Sequence, residues 1–447
     1  MADMAARLNT ADSNHVAVIG GGCAGLAAAA RLASQGKRVT LFEASPHFGG
    51  RARRVRWQGE TLDNGQHILL GAYQDTLALL RLVGVDCEQA LLRLPLQLEI
   101  HGRFKLRACP WLPAPLHILV GLLTADGLRW GERWQAIRFM AWLKHIDFQL
   151  QQDLPLADLL ARRRQPEHLI RWLWEPLCLA ALNTPLDTAS AQVFLHVLRD
   201  SFARGKTDSD MLLPRQDLSA LLADPVIAYV RQHGGQCKPG CAVEAIEADE
   251  DGYRLVTTDG IAGFSEVIVA VHPARAPDLL ARLPNQAESR ATTAALHYQP
   301  IYTIYIQYAA DTRLPAAMLG LTDGIGQWVF DRGQLYGQHG LLAVVISAEG
   351  RHQRLTQARL AETVIAELSR QFPLLPAARW HKVIAEKRAT FACTAGLKRP
   401  ATITADTGLL LAGDYVAGDY PATIEGAVRS GFCCADHILA HLTQPTS

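Results

Sequence analysis

An α/β fold is what this sequence predicts, in two parts: a parallel-sheet domain that is discontinuous along the chain, and an inserted domain of mixed α+β character. Three observations predict it. A short apolar strand runs directly into the segment Gly20-Gly21-Gly22-Cys23-Ala24-Gly25 and an Ala-rich helix. A Leu- and Trp-rich stretch over 73–210 then carries helical patterns punctuated by Pro95, Pro110, Pro155, Pro166, Pro176 and Pro185. From Gly235 onward, strand patterns separated by Asp-Gly turns return.

Length and composition set the bounds. At 447 residues the chain is too long for one simple core, so two domains are expected. It is 49% hydrophobic and 19% charged, which is a globular rather than a disordered balance. A formal net charge of +1 gives no global reason to expect a nucleic-acid partner. The nine cysteines are scattered; Cys237 with Cys241 and Cys433 with Cys434 are the close pairs. Neither has His or further Cys at metal-ligand spacing, so reduced thiols in a cytosolic protein, and no metal, are expected. The first fourteen residues are polar, with Asp3, Arg7 and Asp12, and carry no signal-peptide pattern. The most apolar stretch, 111–123, is shorter than the about twenty residues that a spanning helix needs. A buried helix, the wall of a substrate channel and a shallow membrane contact all remain open for it.

In chain order, 15–19 reads as a strand, 23–34 as a helix and 38–42 as a second strand, together one βαβ unit. The stretch 55–62 alternates like the arm of a hairpin around Gly59. Strands follow at 241–248, 253–258 and 266–271, with turns at Asp251-Gly252 and Asp259-Gly260, then at 301–308 and 341–347. The stretch 360–372 is an amphipathic helix, 409–411 a last short strand, and a helix begins near Ile424. This assigns 1–75, 211–275 and 385–447 to a discontinuous Rossmann-like nucleotide domain. It assigns 76–210 and 276–384 to a substrate domain, largely helical in its first part and sheet in its second.

The glycine segment fits G-x-G-x-x-G between a strand and a helix. Gly20 permits the tight turn, Gly22 lets backbone approach a pyrophosphate, and Gly25 lets helix and strand pack closely. A pyrophosphate then sits at the positive end of the helix, against Cys23 and Ala24. Glu43 ends the next strand eighteen residues after Gly25, with Ala44 behind it, where a carboxylate accepts hydrogen bonds from adenosine ribose hydroxyls. Two features favour FAD. Gly49-Gly50-Arg51 brings a guanidinium towards the pyrophosphate, and no second such loop follows a later strand to hold NAD(P)H. The neighbouring Arg53, Arg54 and Arg56 read as a solvated strand face or pocket rim. No cysteine is placed for covalent flavin attachment, so non-covalent FAD is expected.

The loop at Gly20, the Gly49-Gly50-Arg51 segment and the run Leu411-Ala412-Gly413-Asp414 … Pro421-Ala422-Thr423-Ile424-Glu425-Gly426-Ala427 resemble the flavin amine oxidase and phytoene desaturase superfamily over nearly the whole chain. More specific segments are Asp63-Asn64-Gly65-Gln66-His67, Trp174-Glu175-Pro176-Leu177-Cys178 and Glu386-Lys387-Arg388-Ala389-Thr390-Phe391. Together they resemble the hydroxysqualene dehydroxylases of bacterial hopanoid biosynthesis. The resemblance implies that Asp414 meets the ribityl chain or pyrophosphate, and that Thr423 and Ile424 meet the pyrimidine end of the flavin. It further implies that the Val243 backbone binds adenine and that Gly65, Gln66 and His67 run past the isoalloxazine ring.

The reaction so implied replaces the allylic hydroxyl of hydroxysqualene by hydride, giving squalene. An acid must protonate the leaving hydroxyl, and the resulting cation must be held in an apolar channel. His67 is the first candidate acid, with Asp63 and Glu175 behind it. The partners implied are a long-chain isoprenoid substrate, an external electron donor and the upstream hydroxysqualene-forming enzyme, with the protein in the cytoplasm and in peripheral contact with the inner membrane face. A polyprenoid desaturase, an amine oxidase using Tyr415 and Tyr420, and a non-catalytic prenyl-lipid carrier are the competing readings.

Overall fold

The structure is a computed structural model and describes residues 15–250 and 252–441. The polar N-terminal tail and Asp251 of the expected turn lie outside the described residues.

A five-stranded parallel sheet forms one half. Its order is Gln236–Pro239, Arg38–Glu43, His15–Ile19, Glu266–Val269 and Leu409–Leu411. Strands buried on both faces need a continuous apolar run, which Val16, Ala17, Val18 and Ile19 supply. Successive side chains point to opposite faces. Val16 and Val18 pack among Leu26, Leu32, Val428 and Ile438 of the helices Cys23–Ser34 and Ile424–His441, whereas Ala17 and Ile19 join the core on the other side. The Asp249–Gly252 end closes a three-stranded antiparallel layer, Val243–Asp249, Gly252–Thr257 and Gly260–Phe264. The hairpin around Gly59 forms from Arg54–Trp57 and Glu60–Asp63, with Gln58 and Gly59 both at positive φ (46° and 85°), as a tight two-residue turn demands.

The second half is a seven-stranded sheet in the order Trp380–Phe391, Tyr298–Gln307, Leu341–Ser347, Trp328–Asp331, Met318–Gly320, Gln97–Ile100 and Phe104–Arg107. Period-two alternation divides its labour. Ile304, Ile306, Leu342, Val344 and Ile346 pack on Leu360, Val364 and Leu368 of the helix Gln357–Gln371. Ile301, Val345, Trp328 and Phe330 point the other way, into a cavity.

Two expectations are corrected here. The largely helical stretch 73–210 also holds strands: Leu91–Leu94 and Gln97–Ile100 pair with Met211–Pro214 and Met318–Gly320 far along the chain, and Phe104–Arg107 closes a hairpin on Gln97–Ile100. The boundary at 384/385 falls inside the strand Trp380–Phe391, whose charged Lys382, Glu386, Lys387 and Arg388 obscure an alternation that pairing with Tyr298–Gln307 imposes.

Candidate cofactor and active site

A cavity of about 720 Å³ runs between the two halves. At one end its wall is the glycine loop. Gly20 takes φ +110° and donates its N–H to the Phe42 carbonyl at 2.8 Å. Gly22 faces open space, while an added Cβ at Gly25 would collide with the Gly20 carbonyl. Gly25 therefore acts behind the wall, by packing, and Gly20, Gly22, Cys23 and Ala24 form the wall itself. Burial pushes the Cys23 thiol up to about 12, so it is a neutral wall group. The Glu43 carboxylate is set beside them by two backbone donors, Gly21 N–H at 2.8 Å and Ser45 N–H at 2.7 Å. Ala44 and Val243 line the same end.

The middle of the cavity joins segments hundreds of residues apart. Gly50 lies on Gly22, and Arg51 donates to Asp414 Oδ1 at 2.7 Å and to the Ala389 carbonyl at 2.6 Å. Asn64 bridges the Arg51 carbonyl (3.1 Å) and Glu386 (3.3 Å). Gly413, Asp414, Thr423 and Ile424 complete this stretch, at the N-terminus of the eighteen-residue helix Ile424–His441. That helix end is anchored by Glu425, fully buried, which accepts from Asp75 N–H, Thr76 N–H and Thr76 Oγ1 at 2.7–3.1 Å.

The far end is apolar. Leu179, Ala181, Ile301, Met318, Trp328, Phe330 and Val345 line it. Gly65, Gln66 and His67 line the cavity too, and Gly65 sits against Thr303 of the long strand Tyr298–Gln307. His67 Nδ1 lies 2.8 Å from the Gly65 carbonyl, so Nδ1–H donates there and Nε2 is left bare. Burial lowers the pKa of this imidazole, and the Gly65 bond offsets part of that. Gln66 is held at both ends: its oxygen accepts from Arg332 at 3.0 Å and its nitrogen donates to the Tyr336 hydroxyl at 3.2 Å.

Two candidate acids are not in the cavity wall. Asp63 is wholly enclosed, paired with Arg332 at 3.2 Å and accepting from the Leu218 N–H at 2.9 Å. It holds Arg332, which in turn holds Gln66, so its place is in the frame of the site rather than at its surface. Burial raises its pKa against the opposing pull of Arg332. Glu175 is exposed at the start of the helix Glu175–Leu182, and it is Leu179, Ala180 and Ala181 of that helix that reach the cavity. Tyr415 and Tyr420 do not line it either; the Tyr420 hydroxyl donates to Asp200 at 2.9 Å.

Other residues of the site were not foreseen. Asn64 and Glu386 lay inside segments already singled out, and Arg332 had no local signal at all. Asn183, at φ 47° after the helix Glu175–Leu182, donates to Thr390 Oγ1 at 2.9 Å and ties that helix to the long edge strand. Among the described residues, no cluster of three or more His, Cys, Asp or Glu could hold a metal, and no helix is long and apolar enough to cross a membrane.

Comparison with known proteins agrees with this architecture. The chain is 29% identical to the hydroxysqualene dehydroxylase of Rhodopseudomonas palustris, covering 96% of this chain and 99% of that protein. It is 27% identical to that of Sinorhizobium fredii, covering 95% and 98%. The solved structure of cyclohexylamine oxidase from Brevibacterium oxydans shares the fold, with a TM-score of 0.70 at 17% identity over 96% of this chain and 99% of that one. The model of the flavin containing amine oxidoreductase family matches residues 23–439, and the chain belongs to that family.

Proposed function

We propose that this protein is an FAD-dependent hydroxysqualene dehydroxylase, which reduces hydroxysqualene to squalene. The observation that carries the reading is one cavity lined both by the glycine loop, Glu43 and Arg51 and by the apolar Ile301, Met318, Trp328 and Phe330, with Gln66 and His67 in its wall. The nucleotide end fits FAD. Gly22 leaves open space at a helix N-terminus, Glu43 is set for ribose hydroxyls, and the Arg51–Asp414 pair and the N-terminus of Ile424–His441 lie along the same wall. Gly20, Cys23, Ala24, Ala44, Gly50, Gly65, Val243, Gly413 and Thr423 supply backbone and small side chains around it, and Gly25 supports the loop from behind. FAD when bound, non-covalently, supplies hydride chemistry.

The chain's own residues meet the remaining demands. The substrate loses hydroxide as water, which takes up one proton, and its allylic carbon gains a hydride. Ile301, Met318, Trp328 and Phe330 exclude water from the resulting cation. His67 lines the cavity with its Nδ1 committed to the Gly65 carbonyl, which leaves Nε2 of a transiently protonated imidazole to deliver the proton. Gln66, locked between Arg332 and Tyr336, is a fixed amide beside it. The electrons come from an external donor, since one dinucleotide loop serves the chain. The upstream hydroxysqualene-forming enzyme, and the inner face of the membrane where such substrates dissolve, are the expected surroundings of a cytoplasmic protein.

The test is anaerobic incubation of hydroxysqualene with the chemically reduced holoenzyme, with product analysis by mass. Squalene is the expected product. Unchanged hydroxysqualene, together with dehydrogenation of a phytoene-type polyene by the oxidised enzyme, would transfer the protein to the desaturases.

A further inference from the structure

The second half of the apolar stretch 111–123 turns an apolar face outward. It forms the helix Leu116–Leu123, which has no charged side chain. His117, Ile118, Gly121 and Leu122 face inward and are buried. Leu116, Leu119, Val120 and Leu123 recur at helical spacing on the opposite face, and none of them is buried. A surface helix normally turns polar residues outward, and this one does not. None of 111–123 lines the cavity, so the face is not a channel wall.

What surrounds that face is specific. Trp111 is 88% exposed, and the following helix, Trp130–His145, opens with Trp130 at 61% and Trp134 at 49%. The two indoles meet edge to face at 6.5 Å. Arg133 donates to the Leu123 carbonyl at 2.6 Å and lies 5.5 Å from the Trp130 ring, which ties the second helix to the end of the first. Lys206 donates to the Pro110 carbonyl at 2.6 Å, beside Trp111. The exposed charges close by are mostly cationic, with Arg129, Arg138 and Lys206 against one exposed acid within 110–145, Asp126, since Glu132 is buried.

We infer that this face is a monotopic membrane contact that docks on anionic lipid. The helix Leu116–Leu123 is far too short to span, so it lies in the plane of the interface. Tryptophans at its margin suit the headgroup level, and the cations match the anionic headgroups beyond it. A protein partner or a second copy would satisfy the apolar face, but neither calls for indoles rimmed by an excess of positive charge. The face also connects to the cavity: Phe139 of the second helix packs at 5.2 Å on Trp174, and the chain continues directly into Glu175–Leu182, whose Leu179 and Ala181 line the wall. The inference rests on the surface alone and does not depend on the substrate.

Co-sedimentation of the holoenzyme with vesicles of phosphatidylcholine, with and without phosphatidylglycerol, tests it. Binding is expected to vesicles containing phosphatidylglycerol and to weaken at high salt. Replacing the exposed indoles together (Trp111→Ser, Trp130→Ser, Trp134→Ser) should weaken binding about tenfold or more, with flavin content and melting temperature unchanged. Should that variant fold poorly, brominated lipid provides the second measurement, since it should quench tryptophan fluorescence of the unaltered protein. Absence of binding to anionic vesicles, equal binding by the triple variant, or absence of quenching would overturn the inference. So would a dimer that the triple variant abolishes without any vesicle binding, which would make the face an interface between copies.

Discussion

His67 enters the cavity as a neutral imidazole, because burial disfavours the charged form and Gly65 takes the Nδ1 proton. The sign of the consequence is fixed. Its pKa lies below the ordinary 6.5, so the imidazolium that can act as an acid is depleted as pH rises through that value and beyond. If His67 delivers the proton, kcat/KM should fall about tenfold per pH unit above this lowered pKa, and a flat profile would remove it from the chemistry. His67→Ala should keep the flavin absorbance and lose about 10²–10⁴-fold in squalene formation. Asp63 plays a different part. Asp63→Ala leaves Arg332, 1% exposed, as an unpaired buried cation and should cost about 3–5 kcal/mol of stability, read from the urea midpoint. A stable Asp63→Ala protein would mean that Arg332 finds another partner.

At the scale of elements, the decisive joints lie between helices and strands that are remote in sequence. Glu425 seats the start of the flavin-side helix on the N-terminus of the helix Gln74–Leu82, satisfying donors that no intrahelical bond reaches. Glu425→Ala should therefore cost about 2 kcal/mol or more and speed flavin loss on dilution, measured by fluorescence of released FAD. The βαβ unit was legible residue by residue, since a glycine loop between an apolar strand and an Ala-rich helix is encoded locally. The strand Trp380–Phe391 was not, because its charged positions hide the alternation, and its strand state comes from pairing with Tyr298–Gln307. The strands between Leu91 and Arg107 were missed too, being four residues each, with Leu91–Leu94 and Gln97–Ile100 supported by distant partners and Phe104–Arg107 held at the sheet edge by Gln97–Ile100.

For the whole molecule, the two halves enclose one cavity, and its wall chemistry changes from backbone amides and charge to hydrocarbon along its length. A non-covalent flavin is the form we propose for this wall. The Cys23 thiol, which lies in it, is held neutral at a pKa of about 12. Acid denaturation should release the flavin into the supernatant, and flavin retained on the precipitated chain would contradict this.

The glycine loop, Glu43, Gly413-Asp414 and the period of the strands Tyr298–Gln307 and Leu341–Ser347 were determined by the sequence alone, because turns, close approaches and alternation depend on residues within a few positions of one another. Tertiary structure decided the rest. It enclosed Asp63 and exposed Glu175, two carboxylates that their local context could not tell apart. It joined Arg51 to Asp414 and Asn64 to Glu386 across more than three hundred residues. It also left one face of Leu116–Leu123 turned outward, although its composition reads as core. Burial and pairing are properties of what the chain brings together, and no window of sequence contains them.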